Sequence, residues 1–527
     1  MAAQDLLLRL AVNMAWTQSF TDSLDKPAKV ISYVLKFLAS SKDYNLSPNA
    51  DQISMSTEIA LANADVTIDS VQITPQRWSV NFGGFTVTVA GDLRPLMDFP
   101  RRGAVAELHM IRNGLRNRVC IGQLRGITGG RGVWRLEFAD FLTLMQTRLT
   151  SNATESQFWH YAGKTAKVTQ NFNMSSSANL YVDDITIFEK ETGQNGIIKI
   201  EHLSTGGIDY YTWSSKTSTS GTAGYLTIAA TGKYPSTGSI TVLAINDVVT
   251  SLARLRGRPD YVFARLVMST GDGTQGAFDD YPASWALGVK FNPNLFNLQS
   301  LNKYYNVAWA TSSGTHEIEI IIEEPGNITN FLNAVLNMGM WPVWDQNQLS
   351  WRVCQNPNKA NWFTVKDHIT DRDIISIDSH TLYSPTQSAV YSKSTIRTFN
   401  NTTGLVQDVS SSGNSIPILP TSTELSRDLR LVYRVDSPIQ PTQATTDLSR
   451  LRRWDAEPYE ELNLTVTEKH CRLTAGDIVE ISSIYIYGLR EGQAGFGGTY
   501  SNRRAMILGV RWNPAKSNVN LSIGVMS

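Results

Sequence analysis

Phe85–Val89 reads FTVTV and Trp134–Phe138 reads WRLEF, and these two stretches decide the fold class. In the first, Phe85, Val87 and Val89 alternate with Thr86 and Thr88; in the second, Trp134, Leu136 and Phe138 alternate with Arg135 and Glu137. A period of two puts the apolar residues on one face of an extended chain, as half-buried antiparallel strands require. Gly129, Gly130 and Gly132 supply the turn ahead of the second strand. Arg125 and Arg131 beside those glycines could hold a phosphate, but no GK[ST] signature or helix start follows, so the hairpin reading prevails.

The alternation extends over about residues 60 to 138. Before it, residues 24–40 carry Pro27 near the start and Val30, Ile31, Val34, Leu35 and Leu38 on one helical face, which predicts an amphipathic helix. Its basic residues are Lys26, Lys29 and Lys36, too few for a membrane-surface helix, so it needs a core or subunit surface. Asp43–Asp51 reads as a loop, and Phe141–Arg148 as a short helix after the strands. Residues 150–250 are rich in Ser, Thr, Gly and Asn, with strand signals at Ile208–Trp213, Tyr225–Ala229 and Ser239–Leu243, and read as a β-rich insertion. Tyr210, Tyr211, Trp213 and Tyr225 there fit core or subunit packing, with a sugar-stacking platform as the alternative.

Gly257–Val289, GRPDYVFARLVMSTGDGTQGAFDDYPASWALGV, predicts a helix that starts at Pro259 and Asp260, closes at Gly271, Gly273 and Gly276, and leads into an aromatic loop. The loop's Asp279 and Asp280 suggest calcium, but Thr274, Gln275 and Ala277 interrupt the alternating oxygen ligands such a site needs. Further on, Glu317–Glu323 predicts a strand, Ile328–Leu336 a helix ended by Gly339, and Trp341–Val353 a hairpin turning at Gln346 and Asn347. Ser394–Thr423, with NNTTG, SSSGNS, Pro417 and Pro420, reads as a loop, and order resumes near Ser449. Leu462, Leu464 and Val466 then alternate, Ala475–Asp477 forms a turn, Gly492–Gly498 a glycine-rich loop, and Met506–Trp512 and Leu521–Val525 closing strands.

The chain's 527 residues exceed one ordinary core, so several domains are expected. Lys plus Arg and Asp plus Glu number 47 each, so no global field draws the chain to nucleic acid or acidic lipid. No apolar run is long enough to span a bilayer as a helix, and the start lacks an export-signal pattern. Cys120, Cys354 and Cys471 are too far apart for a CxxC site and odd in number, which predicts reduced, mostly buried thiols.

A search for chemistry finds carboxylate pairs at Asp183/Asp184, Asp279/Asp280, Glu323/Glu324 and Asp371/Asp373. Neighbours on a strand point to opposite faces, and Asp371 with Asp373, though able to share one, sit in a polar segment expected to be solvated. The seven histidines, His109 to His470, form no ligand spacing, and GxSxG, P-loop and Rossmann motifs are absent from the sequence. The reading therefore assigns no catalytic, cofactor-binding or metal-binding residue.

Several of these stretches, in order, resemble the hub proteins at the tail tip or baseplate of long-tailed bacteriophages. The matching stretches are RRGAVAELHM and GVWRLEFAD, the helix followed by TGDGTQGAFDDYPASWALGV, the strand, helix and hairpin of residues 317–353, LTAGDIVEI, and AMILGVRWNP with VNLSIGV. They span roughly residues 75–527. The resemblance implies a mainly β protein with α+β parts: several β-barrel-like or sandwich domains with short helices in a hub-like multidomain arrangement. The expected division is an N-terminal helical arm at 1–55, a first β-rich hub domain at 56–150, a β-rich insertion at 151–255, an α+β domain at 256–400 and a C-terminal β-barrel-like domain at 401–527. It further implies a non-enzymatic homotrimer in the virion tail tip, assembled in the bacterial host cytoplasm. Its partners would be the distal tail protein, the tape-measure protein and central fibre or spike proteins, with DNA passing through the lumen without sequence-specific binding. A receptor- or glycan-binding tail adhesin and a cell-envelope hydrolase are the alternatives.

Overall fold

The structure is a computed structural model, and it describes residues 16–25, 31–38, 44–47, 58–60, 66–75, 79–81, 83–90, 104–140, 162–173, 178–190, 195–234, 242–257, 318–323, 339–345, 348–354, 364–382, 393–399, 406–412, 430–438, 448, 451, 454, 459–489 and 496–526. They are mainly β, arranged in several sheets. The two stretches that alternate in the sequence are neighbours: Gly84–Ala90 pairs antiparallel with Val133–Asp140, setting Phe85 opposite Phe138 and Val87 opposite Leu136. The two phenyl rings stack 4.3 Å apart. Phe85, Val87, Val89, Leu136 and Phe138 are all buried, while Thr86 and Thr88 are half-buried, as the period of two demands. Asn113 and Gly114, both at positive φ, make the tight turn from Val105–Arg112 into Leu115–Gly130, and Arg131 with Gly132 makes the next. Two consecutive positive-φ residues match the right-handed twist of the flanking strands.

The predicted helix over 24–40 is not formed. A short helix, α1, covers Gln18–Leu24, and Ile31–Leu38 is a strand pairing with Val105–Arg112 over its whole length. Tyr33, Val34 and Leu35 are all buried, so both faces of this strand are covered. A strand buried on both faces reads as a continuous apolar run, which periodicity cannot separate from a helix. The expected loop at Asp43–Asp51 likewise contains a strand, Tyr44–Ser47, folded back on residues 35–37.

The C-terminal strands build a second part of the same sheet. Tyr459–Thr467, Asn518–Met526, Phe496–Asn513 and Ile478–Leu489 follow one another antiparallel, flanked by Ile374–Thr381 and Asp367–Thr370. Strand Val66–Asp69 joins Phe496–Asn513 to Gly84–Ala90, giving one sheet of 14 described strands. Phe496 already belongs to a strand, so Gly497 and Gly498 extend that strand rather than the expected glycine-rich loop.

A separate seven-stranded sheet holds Thr165–Lys167, Asn179–Val182, Gly196–Glu201, Ile208–Ser220, Ala223–Tyr234, Val248–Gly257 and Ile318–Ile322. The strands expected around Ile208–Trp213, Tyr225–Ala229 and Glu317–Glu323 are present; of Ser239–Leu243, Leu243 makes an isolated bridge to Phe172. The hairpin expected from Trp341 to Val353 is also formed, by Met340–Asp345 and Gln348–Val353. Ser394–Thr423, read as a loop, instead contains the paired strands Lys393–Phe399 and Val406–Ser412, with Arg430–Pro438 parallel to the first. Order therefore resumes before Ser449. Ser and Thr serve turns and strands alike; here Thr395 and Ser410 hydroxyls bond across the ladder at 2.8 Å, and Asp408 accepts two bonds from Arg397 at 2.8 and 2.9 Å. The predicted helices at 141–148, 259–270 and 328–336, and the aromatic loop up to Val289, lie outside the described residues.

Candidate functional site

Among the described strand pairings of the large sheet, the shortest is the join between its two parts. Val66–Asp69 meets Phe496–Asn513 through two residue pairs, Asp69 with Arg511 and Ile68 with Trp512. Tyr459–Thr467, by contrast, runs beside Asn518–Met526 for nine. Polar groups extend the contact. The Ser70 amide donates to the Val510 carbonyl at 2.8 Å, Ser70 Oγ accepts from the Val510 amide at 3.0 Å, and Arg511 Nε donates to Asp69 at 2.5 Å.

Behind this seam lies a cavity of about 80 Å³, lined among others by Trp16, Cys120, Asp140, Trp344, Cys471 and Trp512. Residues from the two ends of the chain close it. Trp16 packs on Phe20 and Trp512 at centroid distances of 5.5 and 5.9 Å, and Trp344 Nε1 donates to Asp140. Beside it, Arg112 forms a buried ion pair with Glu468 and donates from Nε to the Ser23 carbonyl at 3.0 Å; Trp512 Nε1 donates to the same carboxylate at 3.2 Å. Burial pushes the Glu468 carboxyl up, and the Arg112 charge and hydrogen bond only partly oppose it. Burial first, and then Glu468, push the Tyr33 hydroxyl up as well. Burial also raises the thiols of Cys120 and Cys471, which suits inert reduced cysteines.

A second cluster fixes the Met340–Val353 hairpin to the C-terminal strands. Arg352 donates to Asp477 at 3.0 Å and to Asp345 at 2.6 Å, and Lys366 reaches Asp477 at 2.8 Å. Asp477 also accepts from the Thr474 amide at 2.8 Å, and Trp341 Nε1 donates to the Ala475 carbonyl at 3.3 Å. Gly476, at φ +97, lets the turn pass close to Trp341 and Arg352, where a Cβ would come within 2.9 Å of both. Burial disfavours charge on Asp477, but Lys366 and Arg352 overcome it and hold the carboxyl below its usual range. Burial likewise disfavours charge on Lys366, and Asp477 with Asp345 overcome it and raise the amine.

Each of the five described histidines lies beside a carboxylate. His109 lies 3.0 Å from Glu107, His368 3.1 Å from Glu480, His380 2.8 Å from Glu460 and His470 2.9 Å from Asp367. His202 has a carboxylate at each ring nitrogen, Asp209 at 2.9 Å and Asp247 at 3.2 Å. His160 and His316 lie outside the described residues. Among the described residues, no group of three His, Cys, Asp or Glu is placed to hold a metal ion.

The carboxylate pairs are separated in role. Asp183 accepts from the Lys167 amide, Asp184 from the Thr186 amide and hydroxyl, and Glu323 from Lys199. Asp373 is buried rather than solvated: it accepts from the Thr370 amide and hydroxyl, both at 2.9 Å, and pairs with Lys469 at 2.5 Å. Asp371 accepts from the Ile484 amide at 3.0 Å. Asp279, Asp280 and Glu324 lie outside the described residues. Of the four aromatics at 210–225, Tyr211 and Trp213 are 0% and 2% exposed, so core packing prevails over a sugar platform for these two. No sequence signal announces Arg112–Glu468 or Arg352–Asp477, whose partners are 356 and 125 residues apart.

No family model matches this chain, and no curated protein is similar to it by sequence. Among the structural neighbours are tail proteins at low identity, two of them from prophages. A tail protein from Neisseria meningitidis MC58 aligns over 94% of this chain and 96% of its own, at 10% identity and a TM-score of 0.38. The 43 kDa tail protein of prophage MuSo2 from Shewanella oneidensis gives 94% and 100%, at 11% and 0.38. Prophage tail protein gp18 from Listeria monocytogenes EGD-e gives 94% of each chain, at 8% and 0.36. Among the described residues, no helix is long and apolar enough to cross a membrane.

Proposed function

We propose that this chain is a structural hub protein in the tail tip of a long-tailed phage or phage-like particle. It forms a homotrimer, closes the tail tip, links the distal tail ring to a central fibre or spike, and opens a lumen for DNA during ejection. The support is the ordered set of hub-like stretches in the sequence together with one observation of the fold. Strands from residues 66–140 and 459–526 share one sheet, and buried charged side chains beside its core are paired with one another across the chain. Buried pairs of this kind fit a scaffold that must hold one arrangement under load better than a surface prepared for a small substrate. The distal tail protein, the tape-measure protein and the fibre or spike are the partners this role requires, and assembly in the host cytoplasm suits the free thiols of Cys354 and Cys471. The five expected divisions at 1–55, 56–150, 151–255, 256–400 and 401–527 remain part of the proposal as stretches of the chain, with strands of the first, second, fourth and fifth sharing the large sheet.

The adhesin alternative drew on Tyr211 and Trp213, and their burial removes those two faces from any glycan platform. The measurement that tests the hub reading is the mass of the purified protein by light scattering, with class averages by electron microscopy. A threefold ring with a central passage is the expected result, alone or on addition of the distal tail protein. A monomer under both conditions would sink the reading.

A further inference from the structure

We infer that the seam between Val66–Asp69 and Phe496–Asn513 is a hinge that opens while both parts of the large sheet stay folded, and that residues 16–24 are the strap that holds it shut.

Three observations meet at this place. The backbone connection is two residue pairs and the Ser70–Val510 amide-to-carbonyl bond, so few ladder bonds oppose separation there. The cavity of about 80 Å³ lies immediately behind the connection, so packing is incomplete behind this short ladder. The strap is fastened on both sides: Trp16 lies on Trp512 of the C-terminal part, while the Ser23 carbonyl accepts from Arg112 of the first part. The Thr17 hydroxyl accepts from the Phe20 amide at 3.3 Å and fixes the start of α1, which aims Trp16 at the seam.

What keeps the hinge closed is equally visible. The apolar core continues through the seam, with Trp16 and Ile68 packed on it beside buried Trp512, so opening wets these side chains. The exposed Asp69–Arg511 pair sits at the rim, where water replaces a broken ion pair at little cost. Arg112–Glu468, buried at the strap's far end, is the part that resists separation and serves as the pivot.

The native cysteines report on the opening without engineering. Cys120 and Cys471 line the seam cavity, whereas Cys354 is fully buried away from it, its amide bonded to the Gly339 carbonyl at 2.6 Å. Full-length protein would be pulsed with N-ethylmaleimide under native conditions and each cysteine read by peptide mass spectrometry. Cys471 is expected to label at least about tenfold faster than Cys354, since a sub-global opening is more populated than global unfolding. Trp16→Ala is expected to accelerate Cys120 and Cys471 together and leave Cys354 unchanged. Arg511→Ala, a surface change that spares the fold, is expected to do the same to a smaller extent. Equal rates at Cys471 and Cys354 would overturn the hinge, because only global unfolding would then expose either thiol. An unchanged Cys471 rate in both variants would overturn the strap and the rim.

Discussion

The large sheet and the seven-stranded sheet solve the same problem with different materials. The seven-stranded sheet is antiparallel throughout its described pairings, two of them local hairpins such as Ile208–Ser220 turning at Gly221 into Ala223–Tyr234, over a core containing Tyr211, Trp213, Phe188 and Leu226. The large sheet gathers strands from residues 31–140 and 367–526, and charged pairs such as Arg112–Glu468 and Arg352–Asp477 lie buried beside its core. Local closure needs little beyond apolar area, because the chain cannot go far before it turns back. Closure across hundreds of residues admits many wrong partners, and a buried ion pair penalises those that leave a charge unmatched.

That contrast is broken or sharpened first at Arg352. Its guanidinium is 1% exposed and held by Asp477 and Asp345. Arg352→Ala leaves Asp477 buried with Lys366 as its remaining cationic partner, so the expected loss is about 3 kcal/mol, the low end of the range for breaking a buried pair. Hydrogen exchange should accelerate through Thr474–Ile481 and leave the Gly196–Glu201 strand unchanged. A loss below about 1 kcal/mol would show that water relaxes the site, and the contrast between the sheets would fail.

The second prediction concerns pH. Glu107 is buried, and although burial pushes its carboxyl up, the hydrogen bond from His109 and the charge of Arg118 outweigh this and hold it at about 2 against an ordinary 4.5. A carboxyl lowered on folding stabilises the protein above its unfolded value and loses that contribution as pH falls through the folded one. The window is therefore from about 4.5 down to about 2. His109 acts in the same direction: burial lowers it despite Glu107, so acid must charge a site that prefers the neutral ring. Glu107→Gln should cost at most about 3 kcal/mol at pH 7 and only a few tenths near pH 2. Urea unfolding at both pH values, followed by exchange at the Val105–Arg112 strand, measures it. An equal cost at both would assign Glu107 a packing role only.

How much was legible in the sequence follows the same division. The period of two at Phe85–Val89 and Trp134–Phe138 gave both strands and their shared buried face, because neighbouring side chains on a strand alternate whatever the rest of the chain does. Trp341–Val353 and the closing strands were readable for the same reason. Ile31–Leu38 was not, since its second covering layer comes from elsewhere in the chain and leaves no alternation to read. Thr395 and Ser410 point the same way: their hydroxyls satisfy each other across a ladder, whereas alone each is a turn residue. The seam was invisible, because Asp69 and Arg511 are 442 residues apart and neither carries a local signal.

Gly196 gives the smallest and most discriminating test of the local half of the comparison. It lies opposite Trp213 in the ladder, and a Cβ there would stand 2.2 Å from the indole Cε2. The indole is 2% exposed and Phe188 meets it edge-on at 6.5 Å, so the ring cannot retreat without disturbing the core beneath the sheet. Gly196→Ala therefore overpacks the seven-stranded sheet, with an expected cost of about 1–3 kcal/mol. The damage should stay local: exchange accelerates along Gly196–Glu201 and Ile208–Trp213, while Tyr459–Thr467 keeps its protection. If the Tyr459–Thr467 amides lost protection to the same degree, the two sheets would be one cooperative unit. The difference between local apolar closure and long-range ionic closure would then describe two styles of packing within a single folding event.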